Sequence, residues 1–173
     1  MGVLAVAAIA LPESAFAEFP EYVLKGEFIE RFTRFIDWPD SGFPSPTAPF
    51  VLCLIGEDPF GDYLARLAQE RRIKDRRVLL AHLTANAQVD ACQIAFISRS
   101  EKVNVAAIVA RTGGKPILTI GDTPGFAQAG VLINFYRAED FVRFEVNVDE
   151  AKRSGLKFSS QLMKLARIVG TGN

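Results

Sequence analysis

Cysteine and histidine are scarce in this chain, and their scarcity excludes most chemistry built on them. Two cysteines and one histidine occur in 173 residues. Cys53 and Cys92 stand 39 positions apart, with no CxxC motif and no His–Cys cluster, which disfavours zinc. An excess charge of either sign is also missing. Lys+Arg and Asp+Glu are both 20, so nothing global points to nucleic acid or to an anionic membrane. No GxSxG, P-loop or GxGxxG is present, which removes the sequence signals of a nucleophile elbow and of nucleotide cradles. The most apolar run, Met1 to Leu11, is too short to span a bilayer as a helix.

What is present suits a packed core. Hydrophobic residues make up 49% of the chain, 14 residues are Phe, and the mean hydropathy is slightly positive at +0.16. A chain of this size supports one domain, and disorder does not fit the composition.

The N-terminal apolar run is followed by Pro12, Glu13 and Ser14 and then by Ala15-Phe16-Ala17. This pattern reads as the h-region and A-x-A site of a secretory leader covering residues 1–17, with the mature chain starting at Glu18. No Lys or Arg precedes the run, so a start further upstream or a buried N-terminal element competes with that reading. In an exported chain an even cysteine count suggests a disulfide; in a cytosolic one, two buried thiols.

Residues 22–37 predict a helix whose apolar stripe is Leu24, Phe28, Phe32 and Ile36, widened by Ile29 and Phe35. That stripe fits core packing and leaves room for a dimer contact, with Trp38 at its end. Trp38-Pro39 ends the helix, and the proline-rich stretch Ser41 to Pro49 reads as a loop. Phe50–Ile55 predicts a strand, followed by a helix with Asp58 as N-cap and Pro59 at its first position. Arg71 to Arg77 reads as a basic solvated loop. Strands are expected at Val78–Leu83, Gln93–Ile97, Pro116–Ile120, Val131–Tyr136 and Phe141–Asn147, the last two forming a hairpin. Helices are expected near Lys102–Arg111, Val148–Ser154 and Ser159–Val169. Alternating strands and helices imply a single domain over residues 18–173. Its expected fold is three-layer α/β, with a mainly parallel sheet flanked by helices and a C-terminal antiparallel hairpin. In a doubly wound sheet ordered 2-1-3, Cys53 and Cys92 fall on neighbouring strands, within reach of a disulfide.

Ligands of open α/β sheets bind at the carboxyl ends of the strands. The residues expected there are Glu57, Asp58, Ser98, Ser100, Asp122 and Thr123, an acidic rim bearing hydroxyls. This rim reads either as a cation or polar-ligand site or, the favoured reading, as helix capping, with Asp58 and Ser100 at N-cap positions. Catalysis has little support: His82 falls in the middle of a strand, and carboxylates on loops are common. No metal ligand set or cofactor motif is found.

A series of motifs then runs along the chain. Phe32-Thr33-Arg34-Phe35-Ile36-Asp37-Trp38-Pro39 resembles the opening motif of YfiR-like proteins. Leu52-Cys53-Leu54-Ile55-Gly56-Glu57-Asp58-Pro59-Phe60-Gly61 is similar to a second motif, and Cys92 ahead of Ile94-Ala95-Phe96-Ile97 to a third. Pro116 to Asp122, Phe144-Glu145-Val146-Asn147 and Gly155 to Leu162 complete the series in the family's order, covering about residues 22–169. The resemblance implies a periplasmic regulatory protein of Gram-negative bacteria, not an enzyme, that needs no cofactor. Its best-known members form dimers and repress a membrane-bound diguanylate cyclase by binding its periplasmic sensory region. Release of the repressor raises cyclic di-GMP and promotes biofilm formation. The family's cysteine pair matching Cys53 and Cys92 is disulfide-bonded; a second pair found in some members is absent here. Related domains attach to sensor kinases, so the alternative expectation is a small-ligand sensor coupled to a kinase or transporter. Neither nucleic-acid binding nor direct membrane insertion is expected.

Overall fold

The computed structural model describes residues 14–170. The chain begins with helix α1 (Ser14–Phe32), the short strand β1 (Ile36–Asp37) and strand β2 (Phe50–Ile55). Helix α2 (Tyr63–Glu70), β3 (Arg72–Ile73), β4 (Arg76–Leu83) and β5 (Ile94–Ile97) follow. Then come α3 (Val105–Thr112), β6 (Leu118–Gly121) and the hairpin of β7 (Ile133–Ala138) and β8 (Phe141–Asn147). The last elements are α4 (Val148–Arg153), β9 (Lys157–Phe158), α5 (Ser160–Leu165) and β10 (Arg167–Val169).

Eight strands form one sheet in the order β10-β8-β7-β6-β5-β2-β4-β3. The run β4-β2-β5-β6-β7 is parallel throughout. Antiparallel pairing is confined to the two sides, where β3 folds back on β4 and β8 on β7. The fold is therefore the expected three-layer α/β arrangement. Central strands covered on both faces must be apolar on both, and β5 and β6 are buried at every position. Side chains alternate between the faces. Leu52, Leu54, Ile94, Phe96, Leu118 and Ile120 join one cluster with Ile29 and Phe32 of α1 and Leu64 and Leu67 of α2. Cys53, Ile55, Ala95 and Ile97 join the other with Ile108 of α3.

Cys53 and Cys92 form a disulfide with Cα atoms 5.8 Å apart. It ties β2 to the turn that leads into β5, its neighbour in the sheet. In the chain-entropy account, a loop of this length contributes about 4 kcal/mol.

Four local expectations differ from the structure. The stripe spaced by four runs past the helix end, because the chain tightens after Phe32 and Ile36 becomes the strand residue paired with Phe158. The buried face of α1 is instead Tyr22, Lys25, Ile29 and Phe32, and Leu24 is 45% exposed. The second helix starts at Tyr63 and not at Pro59, since Gly61 has φ +55° and interrupts helical geometry. Arg71 to Arg77 is largely a tight hairpin, with Lys74 and Asp75 both at positive φ between β3 and β4. The last helix stops at Leu165, because the free edge of β8 takes Arg167–Val169 as a parallel strand.

Candidate functional site

Strands β2, β5 and β6 end in register, with Ile55 beside Ile97 and Ile97 beside Gly121. The residues after them therefore share one edge of the sheet, where sequence reasoning placed the rim. Most of that rim ties the loops together. Ser98 is buried, and its N–H donates to the Ile55 carbonyl. The Glu57 N–H donates to Ser100 Oγ at 3.0 Å. Gly56, at φ +95°, makes this approach possible: a Cβ there would lie 2.4 Å from Ser100 Oγ. Asp58 Oδ1 accepts from the Phe60 N–H, and its Oδ2 lies 2.8 Å from His82 Nε2. Asp58 and Ser100 are thus loop ties and not the expected helix caps. His82, expected to be structural within its strand, is 55% exposed at its side chain on β4. The Glu57 and Asp58 residues are exposed.

Asp122 is different. Its side chain is 1% exposed, and Oδ2 accepts from Tyr22 Oη at 2.6 Å and from Lys25 Nζ at 2.8 Å. Lys25 is 4% exposed and also reaches Glu21 Oε1 at 2.7 Å. Arg99 donates to Tyr22 Oη at 3.0 Å and lies 4.0 Å from Asp122 Oδ2. Arg137 donates to Glu21 Oε2 at 3.1 Å. Helix α1 thus lays one acid, one phenol and one ammonium over the strand ends, the turn after β5 and strand β7 supply the Arg99 and Arg137 guanidinium groups, and the loop after β6 supplies the Asp122 carboxylate. Burial pushes the Tyr22 phenol well above its ordinary value, the bond to Asp122 and its charge add to this, and Arg99 pulls back. Tyr22 is consequently a neutral donor at any ordinary pH.

This network is incomplete. Asp122 Oδ1 is buried without a hydrogen-bond partner, as are Thr123 Oγ1 and, on β7 opposite Gly121, Asn134 Oδ1. An unmatched buried polar atom costs about 1–3 kcal/mol, more when charged. Beside Asp122 opens a cavity of about 350 Å³, lined by Glu21, Lys25, Arg99, Phe135, Tyr136 and Arg137 among others.

Ser100 Oγ is engaged by a backbone N–H, and His82 pairs with Asp58, so the two do not form a nucleophile and base. Among the described residues no group of three or more His, Cys, Asp or Glu is placed to hold a metal ion. Both cysteines are in the disulfide.

The motif residues further along the chain bolt the hairpin together. Glu145 is buried, accepting from Asn134 Nδ2 at 3.1 Å on one oxygen and from Arg167 on the other. Asn147 donates to the Ala127 carbonyl and caps α4 by accepting from the N–H groups of Asp149 and Glu150. Gln93 bonds to the Val51 N–H and to the Gly42 carbonyl, and its own carbonyl accepts from Trp38 Nε1. Trp38 is therefore tied into the fold.

Sequence reasoning found Asp122 through its position after a strand. It missed Glu21, Tyr22, Lys25, Arg99 and Arg137. The available signal was Tyr22 and Lys25 at i, i+3 on the same helix face as Ile29 and Phe32, which places a charge on the buried side. The profile of the YfiR/HmsC-like family (DUF4154) matches residues 22–167. Its first matched position is Tyr22 of the buried network and its last is Arg167, which holds Glu145.

Proposed function

Because this chain belongs to the YfiR/HmsC-like family, we propose that it is a periplasmic regulatory binding protein. In this reading it represses an inner-membrane diguanylate cyclase by binding the cyclase's periplasmic sensory region. The family match over residues 22–167 is the observation that carries the proposal. Two further features support it. The Cys53–Cys92 disulfide suits an oxidising compartment. The strand-end groups are committed to loop ties and to a buried ion network, which suits binding better than turnover.

Export rests on residues 1–17 acting as a leader. Residues 1–13 of that segment lie outside the described residues, and among the described residues no helix is long and apolar enough to cross a membrane. The protein acts as a homodimer in this proposal, as its family resemblance implies. Deleting the gene raises cyclic di-GMP and biofilm formation; unchanged cyclic di-GMP in a strain that expresses the protein would overturn the proposal.

A further inference from the structure

The two edges of the sheet are finished differently. At one, β10 is three residues long, and so short an edge offers little to a further strand. At the other, β4 is eight residues long, and β3 covers only its Arg76 and Arg77. Among the described residues no strand pairs with the outer side of β4 from Leu79 to Leu83. That stretch carries no Lys, Arg, Asp, Glu or Pro, the residues that guard an edge against pairing. It is open to solvent, with Leu79 44% exposed and His82 exposed. The Leu83 carbonyl accepts from the Gly56 N–H on the β2 side. Backbone groups alternate in direction along a strand, so those of Leu80 and His82 point outward.

Charge at the amino-terminal end of this edge selects what pairs with it. Arg72 and Arg77 stand directly opposite each other in the β3–β4 ladder, and both are exposed. Like charges in that position repel. Among the described residues neither has a carboxylate within ion-pair distance, and Arg72 donates to the Asp75 carbonyl at 2.7 Å. Arg77 shares its face with Leu79, two residues on. A cleft of about 400 Å³ adjoins the pair, lined also by Glu70 and Arg71 at the end of α2 and by Val78. Arg71 also borders Glu27, Glu30 and Glu70, and it sits at the C-terminal end of α2, where a cation offsets the helix dipole. The charge left for an outside carboxylate is therefore that of Arg72 and Arg77.

From these features we propose that the open edge of β4 takes an extended acidic segment of a partner protein as a further strand. The segment's backbone pairs with Leu80 and His82, an apolar side chain covers Leu79, and carboxylates at its end meet Arg72 and Arg77. A second copy of this chain is the poorer occupant, because β4 carries two arginines and no carboxylate to meet them. The edge does not depend on which protein supplies the segment. It serves a cyclase repressor and a sensor coupled to a kinase alike.

Two short peptides of alternating valine and threonine test this, one opening and one closing on paired aspartates. Each is titrated into the full chain and followed by nuclear magnetic resonance. At least one binds, and the Leu80 and His82 amides gain protection from exchange. Replacing the aspartates by lysines, or a central valine by proline, weakens binding about tenfold or more. The double variant Arg72→Gln with Arg77→Gln weakens it by as much and keeps the parent's melting temperature, since both side chains are on the surface. Lys164→Gln, on α5 beside the opposite edge, leaves binding unchanged. The proposal is overturned if neither peptide binds at millimolar concentration, or if the lysine peptide binds as well as the acidic one. It is overturned equally if the amides of Leu80 and His82 gain no protection, or if the arginine variant binds like the parent. Loss in that variant of dimerisation, or of retention on phosphatidylglycerol vesicles, in place of peptide binding would assign the edge to another occupant and also overturn it. None of these results bears on cyclic di-GMP after gene deletion, so the two proposals fail separately.

Discussion

The two faces of the central sheet are lined by the same strands yet held by different means. On one face, among the described residues, 24 buried side chains form a cluster that includes Phe32, Phe50, Phe60, Phe96, Phe135 and Phe144. The other face carries 10, with Phe126 its single aromatic and small or branched residues elsewhere. The disulfide lies in this thinner cluster, where Cys53 and Cys92 are both buried. Apolar burial scales with area, at about 25 cal/mol per Å². The thick face can therefore hold its helices by packing alone, and the thin face is reinforced by a covalent tie that restricts the unfolded chain. Position along the sheet adds a second contrast. The thick face ends, at the carboxyl edge, in the buried Asp122–Lys25–Tyr22 network under α1, which packing does not complete.

Breaking the thick face has the largest expected effect. Phe32 stacks against Phe135 and meets Phe144 edge-on, with centroids 5.7 and 4.9 Å away. Phe32→Ala costs about 4 kcal/mol by urea unfolding, through lost contacts and the cavity left behind. The staple comes next. The double variant Cys53→Ala with Cys92→Ala loses up to about 4 kcal/mol, the chain-entropy figure for this loop. A loss near zero would mean that the thin face does not depend on the bond.

The buried network supplies a prediction in pH. The Tyr22 phenol has its pKa raised on folding, above the ordinary value of about 10. A group raised on folding contributes stability that is fully present below the unfolded pKa and is lost as pH climbs through the folded value. Stability therefore falls on the alkaline side, above about pH 10, and Tyr22→Phe flattens part of that fall. Tyr63, raised by burial and by its bond to Glu27, contributes with the same sign. Chemical denaturation measured across that alkaline range, in parent and variant, checks this. At the smaller end, Asn147→Ala removes the cap of α4 and its tie to Ala127, at about 1–2 kcal/mol. Ile108→Val on the thin face costs about 1 kcal/mol.

The fold was legible where local signals agree with tertiary demands. Runs such as Phe50–Ile55 and Ile94–Ile97 are apolar at nearly every position, and only a doubly covered strand uses them at that length. Short edge elements were not legible. Arg72–Ile73 and Arg167–Val169 have too few residues for a period to register, and pairing with β4 and β8 is what makes them strands. Ile36 misled because it continues the helical spacing across a turn. The site was half legible for a related reason. Asp122 follows a strand, and that position is readable. Its partners Tyr22 and Lys25 lie 100 and 97 residues earlier, on a helix face that periodicity marks as apolar.

The central claim is regulation from outside the inner membrane, and it is tested most directly by complementation. A strain lacking the gene receives either the full chain or the chain starting at Glu18, and intracellular cyclic di-GMP is measured in each. The account predicts that the full chain restores low cyclic di-GMP and the leaderless chain does not. Equal repression by the leaderless chain, or no change with either, would contradict it.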